Sequence, residues 1–179
     1  VSVDFEATAS KSMTVEDLVS TSGAILAELV GIDDLPPLSI VRGVKRRSGA
    51  VVRAGTPVRD PGLVRIGPGE PDHSLEVLDE AGADLVQLIV SDVPGAWRLV
   101  ASPRRTGRGV VNAIALALGA AFLGDGEFID DDLQLLGRVE PSPARFVAAT
   151  KLGPEHPPSG DPYLRYLRQF PRLEGWPPK

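Results

Sequence analysis

Apolar and polar residues alternate through residues 1–7, with Val1, Val3 and Phe5 on one side and Ser2, Asp4 and Glu6 on the other, which predicts a half-buried strand. The period then lengthens. Val15, Leu18, Val19, Ile25, Leu26, Leu29 and Val30 recur at helical spacing behind Thr14, with Asp17 in the position of a capping box and Gly31 as a natural stop. Pro36 and Pro37 enforce a turn, because neither can continue a helix. Residues 38–44 and 50–54 read as two strands joined at Arg46-Arg47-Ser48-Gly49, and residues 63–66 as a short strand before the irregular loop at 67–71. Residues 74–78 and 85–90 flank Glu80-Ala81-Gly82-Ala83 and suit a hairpin. A turn at Pro94-Gly95 leads into a further strand at 97–101, so the middle of the chain reads as an antiparallel meander.

Residues 97–132 carry the strongest signal: a strand, an arginine-rich glycine turn, an apolar helix from about Arg108 to Gly124, and a strand opening an acidic cluster. Apart from Asn112 and Gly119 that helix is apolar all round, so it must be buried on every side, between the sheet and a second layer or at an oligomer contact. Its apolar run, residues 110–123, spans about 21 Å as a helix, short of the roughly 20 residues a membrane span needs. Residues 1–44 and 97–131 both run strand, helix, strand, with the meander between them. The expected architecture is a single α+β domain, with a mixed, largely antiparallel sheet and two main helices packed on it. Residues 1–152 form this domain. Residues 153–179 are expected to be a proline-rich C-terminal segment packing on it, with Pro143–Thr150 a short helix and Tyr166 and Trp176 helping the tail to dock.

With an apolar share of 42% and few aromatics (two Trp, two Tyr, five Phe), the core must be built from Val, Leu, Ile and Ala. No cysteine is present, which removes disulfide scaffolds, thiolate zinc sites and cysteine nucleophiles. No basic start followed by an apolar run marks a signal peptide in the first 30 residues, and a cytoplasmic setting is expected. The abundance of Arg, Ala, Gly and Pro fits a GC-rich bacterial coding sequence. The net charge of −5 conceals blocks: seven acids against Lys11 in 1–34, seven bases against Asp60 in 42–65, and seven acids without a base in 70–92. Four arginines then fall in 98–108 and five acids in 125–132. Such blocks either neutralise one another across a sheet or leave a polarised surface whose acidic face suits a basic partner.

Two constellations bear on chemistry. Arg104, Arg105 and Arg108 lie at a helix N-terminus, where free backbone donors and the helix dipole favour a phosphate or carboxylate, although no phosphate-loop pattern is present. Asp125, Glu127, Asp130, Asp131 and Asp132 are oxygen ligands at the wrong spacing for a helix–loop–helix calcium site, and a strand would divide them between its two faces. No metal or cofactor is expected from them. His73 and His156 lie in proline-rich loops without a nucleophile nearby in sequence, so no catalytic residue is assigned. The basic stretch 42–65 holds no aromatic residue, which speaks against a nucleic-acid platform built on base stacking.

Leu99-Val100-Ala101-Ser102, the helix at 110–123 and Gly126-Glu127-Phe128-Ile129-Asp130 together resemble small bacterial immunity proteins of polymorphic-toxin systems. The resemblance covers about a fifth of the chain and carries no catalytic residues. It implies a non-enzymatic binding protein whose acidic surface masks a basic toxin domain. The expected contact residues are Asp125, Glu127, Asp130, Asp131 and Asp132, helped by Asp79, Glu80 and Asp84 on the hairpin tip. The alternative is an anion- or nucleotide-binding domain or enzyme using Arg104, Arg105 and Arg108. A homodimer packed through the apolar helix is a third possibility.

Overall fold

A computed structural model gives the fold and describes residues 3–43, 45–47, 50–53, 55–137, 142–153 and 160–173. The chain opens with β1 (Phe5–Ala9), which buries Phe5, Ala7 and Ala9, and the two-residue β2 (Met13–Thr14). Helix α1 (Val15–Val30) starts where expected. Thr14 Oγ1 accepts from the Asp17 N–H at 3.0 Å, and the Asp17 carboxylate accepts from the Thr14 N–H at 3.1 Å. The hydrogen bond from the Thr14 hydroxyl also holds the Asp17 carboxyl below its ordinary pKa. Gly31 ends the helix in the left-handed region (φ 68°), where a Cβ would be strained.

The middle strands are β3 (Ser39–Arg42), β4 (Lys45–Arg47), β5 (Ala50–Arg53), β6 (Thr56–Pro57), β7 (Arg65–Ile66), β8 (His73–Leu78), β9 (Asp84–Val93) and β10 (Ala96–Pro103). Helix α2 (Gly107–Leu123) and β11 (Glu127–Ile129) follow, then the short helices α3 (Pro143–Thr150) and α4 (Pro162–Leu167). Seven strands form one sheet in the order β11-β1-β10-β9-β8-β3-β6, and every described pairing is antiparallel. The fold is α+β, as the sequence pattern implies. The strands read at 38–44 and 50–54 do not pair with each other, however. β3 joins β8 and β6, whereas β4 and β5 form a separate two-stranded hairpin.

The two strand–helix–strand segments interlock. β10 and β11 both pair with β1, one on each side, so the crossover through α2 spans the N-terminal strand. α2 rests on β1, β9, β10 and β11, and α1, α3 and α4 pack chiefly against α2. That second layer explains the all-apolar helix: from Val110 to Ala121 every residue of α2 is buried. Gly119 lets α1 approach closely, because a Cβ there would collide with Ser22 Oγ and meet Ser22 Cα at 3.4 Å. Trp97 is fully buried in β10 and donates its Nε1–H to Lys11 O at 2.9 Å. Tyr166 anchors the C-terminal segment. The Thr150 hydroxyl donates to Phe146 O, so the Tyr166 hydroxyl donates to Thr150 Oγ1 at 3.0 Å, and burial pushes its pKa up. Trp176 lies outside the described residues, as do 154–159 of the proline-rich loop.

Candidate functional site

The acidic rim is built on an aromatic base. Phe128 in β11 stacks on Phe5 (centroids 6.3 Å apart) and meets Phe146 of α3 edge-on at 4.9 Å. This fixes a short strand at the edge of the sheet. Gly126 is required there, because a Cβ would run into the Thr8 carbonyl. Glu127 is exposed opposite Thr8, and Asp125, with φ 52°, reaches Lys11 at 3.2 Å on the open surface.

The sequence reading carries the strand through Asp132, but pairing ends at Ile129. Asp130 turns inward, 8% exposed, and accepts the Leu133 and Leu135 N–H groups at 3.1 and 2.7 Å. It closes the turn that follows β11. Burial raises its carboxyl pKa, against the lowering effect of those N–H donors. Asp131 and Asp132 are exposed, and Asp132 also accepts the Asp4 N–H at 3.2 Å. Of the five predicted rim carboxylates, Asp130 is therefore spent on structure, while the other four face water.

The hairpin tip is a separate place. Asp79 and Glu80 follow β8 at the end of the sheet where β10 closes and α2 begins, and the Arg104 N–H donates to Leu85 O at 2.8 Å. Three to four strand spacings, about 15–20 Å, separate this tip from Asp131 and Asp132. Asp79 shapes the turn by accepting from Ala81 and Ala83 N–H at 2.9 and 2.8 Å. The Asp84 side chain lies outside the described set.

The arginine turn meets this tip rather than an open anion site. Arg108 Nη2 donates to Glu80 Oε2 at 2.7 Å and Nη1 to Oε1 at 3.3 Å, with Asp79 Oδ2 at 3.6 Å. Its guanidinium lies 5.8 Å from the Tyr163 ring centroid. The Arg108 hydrogen bond lowers the Glu80 pKa, while the Tyr163 hydroxyl is pushed up by burial. The glycines of the turn serve packing: a Cβ at Gly107 would strike Leu164 Cδ2 at 2.7 Å, and one at Gly109 would strike Arg104 O at 2.6 Å. Leu164 of α4 thus covers the start of α2. Thr106 caps it by accepting the Gly109 N–H at 2.9 Å. Arg104 is half-buried and Arg105 exposed. Arg108 from one set proposed from sequence and Asp79 and Glu80 from the other are here joined in one ion-pair cluster.

Other charged blocks also neutralise locally. Arg98 pairs with Glu6 across β10 and β1, and Arg65 with Glu70 at 3.3 Å. Among the described residues, no three His, Asp or Glu side chains converge as metal ligands, and no helix is long and apolar enough to cross a membrane. One feature escaped the sequence reading. An apolar groove of about 390 Å³ runs between α1 and α3 beside Phe122, which is 62% exposed at the end of α2. The aromatic at the close of an otherwise buried helix was its only signal. Comparison with protein-family models, curated proteins and solved structures finds no match.

Proposed function

We propose that this chain is a non-enzymatic binding protein that masks a basic protein partner with the acidic edge of its sheet, in the manner of a bacterial cytoplasmic immunity protein. One observation supports the reading above others. Glu127, Asp131 and Asp132 stand exposed on and beside an edge strand whose base is locked by Phe5, Phe128 and Phe146. A rigid surface dominated by carboxylates steers and orients a basic partner without having to order itself first. The contact set narrows to Asp125, Glu127, Asp131 and Asp132, because Asp130 is engaged within its own turn. Arg108, central to the anion-binding alternative, already has Glu80 and Asp79 as its counter-charges.

The test is affinity capture from the source organism with the wild-type chain and with D131K/D132K. The expected result is a basic protein held by the former and released by the latter, toxic when expressed alone and harmless beside the wild-type chain. Equal capture by both chains removes the assigned surface; a captured protein without toxicity removes the immunity reading.

A further inference from the structure

A groove borders α1 on the side of β3 and β6. Two adjoining hollows of about 340 and 370 Å³ share Val19, Ser20 and Leu38 and so run together. Along α1 the groove extends from Glu16 to Ala27, about 17 Å at the rise of an α-helix. Its other wall is apolar and rich in proline, with Pro36, Pro37 and Leu38 at one end and Ile40, Pro57 and Pro61 at the other. Leu63, in the same 3-10 turn as Pro61, is 81% exposed. Carboxylates mark both ends. Glu16 lies against the Pro61–Leu63 turn, where a Cβ on Gly62 would meet its Oε2 at 2.5 Å, and Asp33 and Asp34 are exposed at the far end. Asp17 and Asp60 are exposed near the Glu16 end, as are the cations Arg42 of β3 and Arg59 just beyond β6. Beyond Ala27, Glu28 and Lys151 neutralise each other at 3.0 Å. Five acids against two arginines leave the groove acidic among the described side chains. The side chains of the β4–β5 hairpin lie outside the described set, and nothing below uses them.

We propose that this groove seats an amphipathic α-helix of a partner protein, about three turns long, with a Lys or Arg near each end of its apolar face. The walls favour a helix over an extended segment. Pro36, Pro37, Pro57 and Pro61 have no N–H to offer, and the backbone groups of α1 are bonded within it, so a strand would find few partners there. A helix satisfies its own backbone and brings only side chains to the groove. Gly23, a poor helix former in mid-helix, sits on the α1 wall, and a Cβ there would meet no atom within 4 Å. No contact within the described fold calls for it. With Ser20 and Ala27 it makes a low stretch against which a second helix can pack closely, about 8–10 Å between axes. The charge supplies the rest of the occupant's chemistry. Glu16 and the Asp33–Asp34 pair are about 17 Å apart along α1, beyond the screening length of about 8 Å, so each end calls for a cation of its own. The groove lies beside β3 and β6, at the far end of the sheet from β11, and uses none of the residues assigned to the acidic edge, so each reading can fail alone.

The experiment selects phage-displayed random peptides of about 16 residues on the full chain, with counter-selection on the full chain bearing G23L, and measures the enriched peptides by fluorescence anisotropy. The expected sequences repeat apolar residues at i, i+3, i+4 and i+7, carry Lys or Arg near both ends, gain helix on binding, and have a Kd of roughly 1–100 µM. G23L, whose side chain has room in the free chain, is expected to keep the wild-type circular dichroism and to weaken binding at least about 10-fold. S20Y, on the same wall and exposed, is expected to act alike, which covers the case of a perturbed G23L chain. E16Q and D33N/D34N are each expected to weaken binding about 3-fold or more and to lessen its salt dependence. D131K/D132K, which alters the sheet edge, is expected to leave peptide binding unchanged. Enriched peptides without a helical period, peptides with acidic ends held as tightly, or equal binding by G23L and S20Y overturns the proposal. Self-association of the chain at about 100 µM that G23L abolishes overturns it in favour of a second copy as the occupant.

Discussion

Replacing Gly119 by alanine sets two effects of known sign against each other. Alanine is favoured over glycine in a helix interior by about 1 kcal/mol. The new methyl has no room, because it overlaps Ser22 Oγ and sits 3.4 Å from both Ser22 Cα and Cβ. Overpacking costs about 1–3 kcal/mol, and an overlap this severe falls in the upper half of that range, so the net expectation for Gly119→Ala is a loss of about 1–2 kcal/mol. For a chain of this size that is a fall of roughly 2–8 °C in Tm. Ser22 itself is 2% exposed, and its hydroxyl has no hydrogen-bond partner among the described residues. Ser22→Ala removes a buried polar group without breaking a bond and is expected to be neutral or to stabilise by up to about 1 kcal/mol. With the hydroxyl gone, a residue-119 methyl meets only ordinary contacts. S22A/G119A is then expected to regain the wild-type stability or exceed it, giving a coupling of about 1–2 kcal/mol in the double-mutant cycle. Urea unfolding followed by far-UV circular dichroism and the fluorescence of buried Trp97 measures all four corners. A G119A chain as stable as wild type, or a cycle additive within about 0.5 kcal/mol, would refute the close crossing of α1 and α2.

Other expectations follow from local chemistry. Thr14→Ala removes the reciprocal cap with Asp17 and is expected to cost about 1 kcal/mol in the same unfolding assay. Asp130 has a folded pKa raised above its unfolded value, so its favourable contribution is complete below the unfolded pKa near 4 and is lost as pH rises through the folded value. Asp130→Asn, which cannot ionise, is expected to gain on the wild type as pH climbs from about 4 to 7; a gap that widens the other way refutes the assignment. Glu80 has the reverse sign. Its pKa is lowered by Arg108, so its contribution is present above the unfolded value and is lost as pH falls through the folded one. Glu80→Gln is expected to flatten the acid limb of the stability profile, as followed by unfolding at stepped pH.

The local signals in the chain were legible and the long-range ones were not. Thr14, Asp17 and Gly31 specify the ends of α1 through bonds that span a few residues, and the structure has those bonds. The unbroken apolar character of residues 110–121 demanded cover on all sides, and the second helical layer supplies it. Strand partners are another matter. Residues 38–44 and 50–54 look like neighbours because a basic turn lies between them, yet the partner of Ile40 is Val77, beyond an entire loop. A pleated period of two fixes which face a strand buries and leaves its neighbour open. The same gap explains the acidic cluster. Nothing in Asp130-Asp131-Asp132 marks the first as a turn-closing residue until Leu133 and Leu135 present their N–H groups to it. Arg108 and Glu80 are oppositely charged but 28 positions apart, and only the folded hairpin brings them together.

The position of β1 between β10 and β11 has a consequence for the order of assembly during synthesis. Deletion of β1 removes the shared neighbour of two strands made roughly a hundred residues later, so it splits the sheet in its interior instead of trimming a margin. A nascent chain emerging from the ribosome holds β1 without its sheet partners until Trp97–Ala101 has been made, and the edge closes only after Phe128 follows. Completion of this sheet therefore waits for a strand more than a hundred residues after β1, however early the first helix forms.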